Sequence, residues 1–271
     1  MSINLNSDFM ISSYDIIGSK EKAVAIVEIP DELKIKERDI AKKILSEHKN
    51  VKTVLKKLSE RTGLYRTREY KFLLGDKDTE VTHVEYGCKY KLDPRKVYFS
   101  GREGTERFRV AGQVKPNETI MLMFAGVCPY GILISKKQPS VKIIAVEINP
   151  KSFEYMKENI RLNRMTDRII PILEDVKKES KRWYGKCDRV IMPLPRTAKK
   201  FLKQAFLCLK SEVGIIHFYH LTSENELFSE PIELLREHAK KLNRKIRVLR
   251  KRKVLPYGPR KWKVCIDCFV K

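Results

Sequence analysis

No stretch of this 271-residue chain reaches the roughly 18 apolar residues that a membrane-crossing helix requires. Met1 to Met10 lacks the basic segment and apolar core of a secretory signal, so the expected location is the cytoplasm. Cysteine is sparse. Of the six, only Cys265 and Cys268 form a C-x-x-C, and no second pair completes a zinc site. These two fall in an apparent strand, where a spacing of three sends side chains to opposite faces, so no metal is expected. There is no internal repeat and no low-complexity segment, and a G-x-G-x-x-G loop of the dinucleotide-binding kind is also missing. Acidic residues are in deficit: 34 Asp and Glu stand against 57 Lys and Arg, a net charge of +23.

That excess implies a polyanionic partner, because phosphate attraction supplies most non-specific affinity for nucleic acid. Adaptation to heat raises charges of both signs, whereas here the cations dominate. At 42% hydrophobic the chain has enough apolar surface for a packed core.

The pattern predicts two domains, residues 1–112 and 113–271. The first reads as small and α+β. Val24–Ile29 is a β-rich run, the pattern turns helical from Asp31, and Val51–Leu58 reads as helical or turn-rich. Val81–Glu85 and Cys88–Leu92 form a hairpin around Tyr86-Gly87. Gly112–Thr119 carries hinge-like residues. Strands and helices then alternate: Thr119–Phe124, Val141–Glu147, Arg168–Leu173, Arg189–Met192 and Gly214–Tyr219 are strands, while Pro150–Asn163 and Ala198–Leu209 are helices. Phe153, Met156 and Ile160 share one face of the first helix. Alternation of this kind predicts a parallel, doubly wound sheet. Lys245–Arg250 and Trp262–Val270 are joined by too short a segment for a crossover helix, so they pair antiparallel. The expected fold is α/β: a parallel sheet with an antiparallel C-terminal hairpin, an ending that resembles the Rossmann-like class I methyltransferase domain, preceded by a small α+β domain that the net charge suggests is RNA-binding.

In such a sheet, ligands sit at the carboxyl ends of strands near the switch point. The first strand ends in Phe124-Ala125-Gly126-Val127-Cys128-Pro129-Tyr130, the second in Glu147. An acid there can accept both ribose hydroxyls of an adenosine. Read alone, Glu147 is as readily a solvated strand end, and the βαβ frame gives it the functional reading. Met192-Pro193-Leu194-Pro195-Arg196 closes the fourth strand; two prolines stiffen that loop and remove two donors.

Tyr98-Phe99-Ser100, Glu106-Arg107, Phe124-Ala125-Gly126-Val127, Ala145 to Pro150, Ile172 to Val176, Arg189 to Met192 and Ile215-Ile216-His217 follow in one order. So do Tyr14-Asp15-Ile16-Ile17-Gly18 and the Pro-Tyr-Gly-Pro before the last strand. Together they resemble the archaeal and eukaryotic tRNA (guanine-37-N1)-methyltransferases, from about Tyr14 to Lys271. The resemblance implies S-adenosylmethionine as cofactor, the tRNA anticodon stem-loop as partner and action as a monomer. It assigns Glu106 as the base for the guanine N1 proton and Arg66 as the clamp on O6. It places Tyr98, Arg107, Phe124, Gly126, Glu147, Asp175, Pro193 and Pro195 around the cofactor. Burial is expected to raise the Glu106 carboxyl towards neutrality.

Three positions depart from the family pattern. Leu122 stands where relatives carry Asp, Cys128 replaces the second glycine of the loop, and Pro193-Leu194-Pro195 replaces Asn-Leu-Pro. Cofactor contacts therefore differ there. The resemblance points to a branch that also methylates C7 of 4-demethylwyosine, in wyosine biosynthesis. A small extra N-terminal domain of many relatives is missing, which weakens recognition of the outer tRNA. Two other readings stand beside this one: a wybutosine-pathway aminocarboxypropyltransferase of the same fold, and a non-catalytic RNA-binding protein with a decayed cofactor site.

Overall fold

Thr119–Met123, Lys142–Glu147 and Arg189–Met192 are buried almost throughout, as strands covered on both faces must be. The computed structural model describes residues 3–4, 10–11, 14–61 and 63–271, so most of the Met1–Met10 segment lies outside the described residues. The chain divides into two compact units, Met1–Gly101 and Arg102–Lys271.

In the first unit, the two-residue strands β1 (Ile3–Asn4) and β2 (Met10–Ile11) pair antiparallel. A four-stranded sheet follows in the order β3 (Tyr14–Gly18), β4 (Ala23–Val27), β5 (Val51–Lys57), β6 (Tyr70–Gly75). Gly18 ends β3 with φ +147°, and a Cβ there would lie 2.3 Å from the Lys22 carbonyl oxygen, so only glycine fits this turn. Helix α1 (Glu37–Glu47) buries Ile40, Ala41 and Ile44 against β5 and β6. The expectation for Val51–Leu58 is overturned: it is strand, parallel to β4 and antiparallel to β6. Val51, Thr53, Val54 and Leu55 are wholly or almost wholly buried between these neighbours, and that burial outweighs the weak local pattern. Strands β7 (Val81–Glu85) and β8 (Cys88–Leu92) form the expected hairpin, with Tyr86 and Gly87 both at positive φ.

The second unit begins earlier than the sequence suggests. Helix α2 (Gly104–Ala111) packs on α3 (Pro129–Lys137), so residues 102–112 belong with the later chain, and Gly112–Thr119 is a connection inside this unit. After α2 come β9 (Thr119–Met123), β10 (Lys142–Glu147), α4 (Pro150–Leu162), β11 (Ile169–Leu173), the short α5 (Val176–Glu179) and β12 (Arg189–Met192). Next are α6 (Leu202–Cys208), β13 (Gly214–Ser223), α7 (Ser229–Lys241), β14 (Ile246–Gly258) and β15 (Lys261–Val270). The sheet order is β11-β10-β9-β12-β13-β15-β14. The first five run parallel, and β15 is antiparallel to both β13 and β14. The order reverses at β9, so the switch point lies at the carboxyl ends of β9, β10 and β12.

Helix α4 starts where sequence chemistry requires. Asn149 caps it by accepting the Lys151 amide at 3.0 Å, and Pro150 occupies the first turn. Its core face is Tyr155, Met156 and Ile160, with Phe153 half-buried. Edge strand β14 buries none of its residues and presents Arg247, Arg250, Lys251, Arg252 and Lys253 to solvent.

Candidate active site

The turn after β9 is built from left-handed residues. Phe124 (φ 56°), Gly126 (φ 58°) and Cys128 (φ 68°) alternate with Ala125 and Val127. Such conformations are costly for the two non-glycine residues and persist only when the surroundings hold them. Phe124 packs edge-on against Phe201, centroids 4.8 Å apart. Cys128 is fully buried at the N-terminus of α3, and burial pushes its thiol up to about 12. A Cβ on Gly131 would stand 2.6 Å from the Cys128 Sγ and 3.4 Å from a Leu122 methyl. The two departures from the family pattern, Leu122 and Cys128, therefore share one apolar pocket closed by Gly131.

Glu147, at the carboxyl end of β10, faces this turn. Its Oε2 accepts the Gly126 amide at 2.7 Å; its Oε1 accepts the amides of Ile148 and Asn149 at 3.0 and 2.8 Å. Burial raises its carboxyl above the ordinary value, opposed by those three amides. One lone pair on Oε2 stays open to a hydroxyl donor. Asp175 follows β11 and caps α5 through Oδ1, which accepts the Lys177 amide at 2.7 Å. Pro193 and Pro195 follow the end of β12. The register Val146–Met123, Glu147–Leu173 and Ile191–Leu122 thus brings Phe124, Gly126, Glu147, Asp175, Pro193 and Pro195 to one edge of the sheet. An acid after the second strand and a tight turn after the first suit an adenosine with a ribose diol.

Glu106 and Arg107 lie on α2, both buried. Arg107 is close enough to Tyr130 for its charge to act on that phenol. Arg109 donates to both Glu106 oxygens at 2.7 Å, and the Tyr219 hydroxyl donates to Oε1 at 2.7 Å. Tyr130 donates in turn to Tyr219 at 3.0 Å. Glu106 Oε1 therefore carries two donors and Oε2 one, which leaves an acceptor position on Oε2.

Arg66 and Tyr98 belong to the first unit. Arg66 sits at φ 56°, half-buried, at the end of the turn 63–66. The Tyr98 ring lies 4.1 Å below the Arg61 guanidinium.

Sequence reasoning missed a buried chain of charged groups that runs from Glu106. Arg109 also pairs with Asp267, through Nη1 to Oδ2 and Nη2 to Oδ1. His217 Nδ1 lies 2.7 Å from Asp267 Oδ1, and its Nε2 lies 2.6 Å from Arg189 Nη1. A guanidinium only donates, so Nε2 accepts, Nδ1 carries the hydrogen and the ring is neutral. Burial lowers the His217 pKa in the same sense. Arg189 ends on Glu118, at 2.6 and 2.9 Å. His217, Cys265 and Asp267 also have the spacing of metal ligands, with ligating atoms within 4.8 Å of one another. Two guanidiniums, however, already donate into Asp267 and His217, so the group is a hydrogen-bond relay. A charged residue inside the apolar strand sequence Val-Cys-Ile-Asp-Cys-Phe-Val is the legible sign of it. All six cysteines are free.

Known proteins match this arrangement over the whole chain. Residues 81–249 match the model of the TRM5/TYW2 methyltransferase domain, and residues 6–79 that of the TYW2 N-terminal domain. The tRNA (guanine(37)-N(1))-methyltransferase Trm5b of Pyrococcus abyssi is 42% identical over 259 residues, 96% of this chain and 75% of that protein. Its crystal structure superposes with a TM-score of 0.88 at 40% identity, covering 100% of this chain and 79% of that one. The complex of aTrm5 with tRNALeu gives 0.84 at 35% identity, covering 96% and 72%. The tRNA(Phe) (4-demethylwyosine(37)-C(7)) aminocarboxypropyltransferase of Methanocaldococcus jannaschii is 36% identical over 216 residues, 80% of this chain and 85% of the relative. TYW2 of Pyrococcus horikoshii in complex with MeSAdo gives a TM-score of 0.82 at 30% identity, covering 96% and 90%. The sheet order, the acid at the end of β10 and these matches agree: the chain belongs to the TRM5/TYW2 methyltransferase family.

Proposed function

We propose that this chain methylates N1 of guanosine 37 in tRNA, acting as a monomer on the anticodon stem-loop with S-adenosylmethionine as methyl donor. The observation that carries the reading is Glu106: a buried carboxylate at the motif position of the family's base, with an acceptor position on Oε2. Trm5b, similar over 96% of this chain, is named for this reaction.

Bound S-adenosylmethionine supplies an electrophilic methyl carbon on a sulfonium. Glu147 holds the ribose diol, Asp175 accepts from the adenine amine through its second oxygen, and Gly126 allows close approach. Pro193 and Pro195 border the pocket for the base. N1 of guanine carries a proton at neutral pH and is a poor nucleophile. Glu106 takes that proton on Oε2. The negative charge that develops on O6 is stabilised by the guanidinium assigned to Arg66. The N1 lone pair then forms the new N–C bond as the C–S bond breaks towards sulfur.

In the same reading the pocket extends to C7 methylation of 4-demethylwyosine. Transfer of an aminocarboxypropyl group is the second reading, favoured by the M. jannaschii relative. It uses the same cofactor but attacks a different carbon of the sulfonium. Nucleoside mass spectrometry of tRNA treated with methyl-labelled cofactor separates the two. Label in 1-methylguanosine supports the proposal, and an unlabelled, heavier base product overturns it. Absence of measurable cofactor binding would favour the non-catalytic reading that Leu122 and Cys128 raise.

A further inference from the structure

We propose that Asp267 is the positioning residue that allows Glu106 to take up a proton: both carboxylates share the Arg109 guanidinium, and Asp267 remains as its counter-ion when Glu106 is neutralised. The inference rests on Glu106 being the base.

A buried carboxylate locked to a single guanidinium is a poor proton acceptor. Neutralising it strands a buried cation, which costs several kcal/mol. The arrangement here avoids that cost. Arg109 reaches Glu106 with Nε and Nη2 and Asp267 with Nη1 and Nη2. Along the relay, Glu106 and Asp267 both receive Arg109, and Glu118 receives Arg189. When Glu106 takes up a proton, Arg109 keeps Asp267 as its counter-ion, so that guanidinium is not left buried without a carboxylate.

Of the two carboxylates on Arg109, Glu106 is the one with an acceptor position open, on Oε2. Glu118 lies at the far end and is held by two contacts from Arg189. Asp267 sits in the middle and also accepts from Gln113 Nε2 at 3.0 Å and from His217. Burial opposes charge on Asp267, but His217 and Arg109 more than offset it and hold the carboxyl well below the usual range. It therefore stays ionised and remains the counter-ion of Arg109. His217, pinned neutral between Asp267 and Arg189, fixes the orientation of Asp267 without adding charge.

Other charged groups pack around this pair, among them Arg107, buried on the helix that carries Glu106. On β15, Lys263 is paired with Glu103 at 2.8 Å, both buried, and its ammonium lies 4.9 Å from the Tyr219 ring centroid. The Cys265 thiol accepts from Arg109 at 3.5 Å, and burial keeps it protonated. Burial likewise raises Tyr219 and Tyr130 well above the ordinary phenol value, so both remain neutral donors. Arg107 acts on Tyr130 from the same helix.

The test is the pH profile of single-turnover methyl transfer to tRNA by the full chain, for Asp267→Asn, Arg109→Gln and Glu106→Gln. Thermal melting and S-adenosylmethionine binding serve as checks on folding. The wild-type rate rises with pH along an acid limb set by the base. In Asp267→Asn, Glu106 becomes the sole counter-ion of Arg109, so its ionised form is favoured more strongly. The limb moves to lower pH by about one unit, within the range for such charge effects. The plateau falls by about threefold to tenfold, the response of a weaker base. In Arg109→Gln, Glu106 faces Asp267 with no cation between them, and the limb moves to higher pH. A rate lowered equally at every pH, with both limbs unmoved, overturns the proposal and leaves Asp267 a structural role. If Asp267→Asn does not fold, the double variant Arg109→Gln/Asp267→Asn decides: a limb lower than in Arg109→Gln alone supports the action of Asp267 on Glu106, and an identical limb overturns it. Normal turnover and an unchanged limb in Glu106→Gln would instead remove the base reading. An inactive Glu106→Gln with unmoved limbs in the other two variants removes only the role of Asp267.

Discussion

Glu147 ties the turn after β9 to the end of β10, accepting the Gly126 amide at 2.7 Å from across the sheet edge. The residue expected to hold the ribose therefore also shapes the turn beneath the cofactor. Glu147→Ala should weaken S-adenosylmethionine binding by about 1.5 to 3 kcal/mol, the range for hydrogen bonds to a charged group. Only the ionised carboxylate can accept from a ribose hydroxyl on Oε2 while keeping its three amide donors. Because burial raises its pKa, cofactor affinity should fall as pH drops, beginning at higher pH than for an ordinary carboxylate. Calorimetry across pH checks both; an unchanged affinity removes Glu147 from the site.

The Arg66 and Glu106 alanine variants should each lose turnover by about 10² to 10⁴, the usual worth of a positioned base or oxyanion donor. Cofactor binding should survive in both, because neither residue lies on the strand ends that hold adenosine. The Glu106 variant should recover in part at high pH, where solvent removes the N1 proton. The Arg66 variant should not, since its defect is charge stabilisation. Normal single-turnover rates in both would send the search for the base to the Pro193–Pro195 loop.

Binding to tRNA should weaken steeply with salt, with a log–log slope of several, as the net charge of +23 implies. Arg250 and Arg252 are exposed on the edge strand β14. Changing both to alanine should lower the slope by about two, one for each phosphate no longer neutralised. A slope near zero in the unaltered chain would mean that the charge serves another purpose.

Gly131→Ala should destabilise the second unit, because its Cβ would lie 2.6 Å from the Cys128 sulfur. A cost of about 1 to 3 kcal/mol is typical of such overpacking. Adding Cys128→Gly should restore most of that stability, since it removes the clashing atom and suits φ 68°. A double-mutant cycle in denaturant measures the coupling, and additive effects would mean that the two positions are independent.

The parallel strands, the helix starting at Pro150, the two hairpins and the acid at Glu147 are all readable from local chemistry. Apolar runs mark strands buried on both faces, Asn149-Pro150 marks a helix start, and Tyr86-Gly87 marks a tight turn. Val51–Leu58 misleads because five buried residues in seven look alike as a short helix or as a central strand. The boundary near Gly112 misleads because α2 is short and polar on one side, and its attachment to α3 leaves no local mark.

What the sequence by itself determined was the order of the elements and the family's motif residues, because periodicity and turn chemistry act between near neighbours. Only the tertiary structure decided which charges share a partner. Arg109 and Asp267 are separated by 158 positions, and His217 and Asp267 by 50. No spacing rule links residues so far apart. They meet because β15 enters the sheet beside β13, and burial then requires each charge it brings in to find its partner.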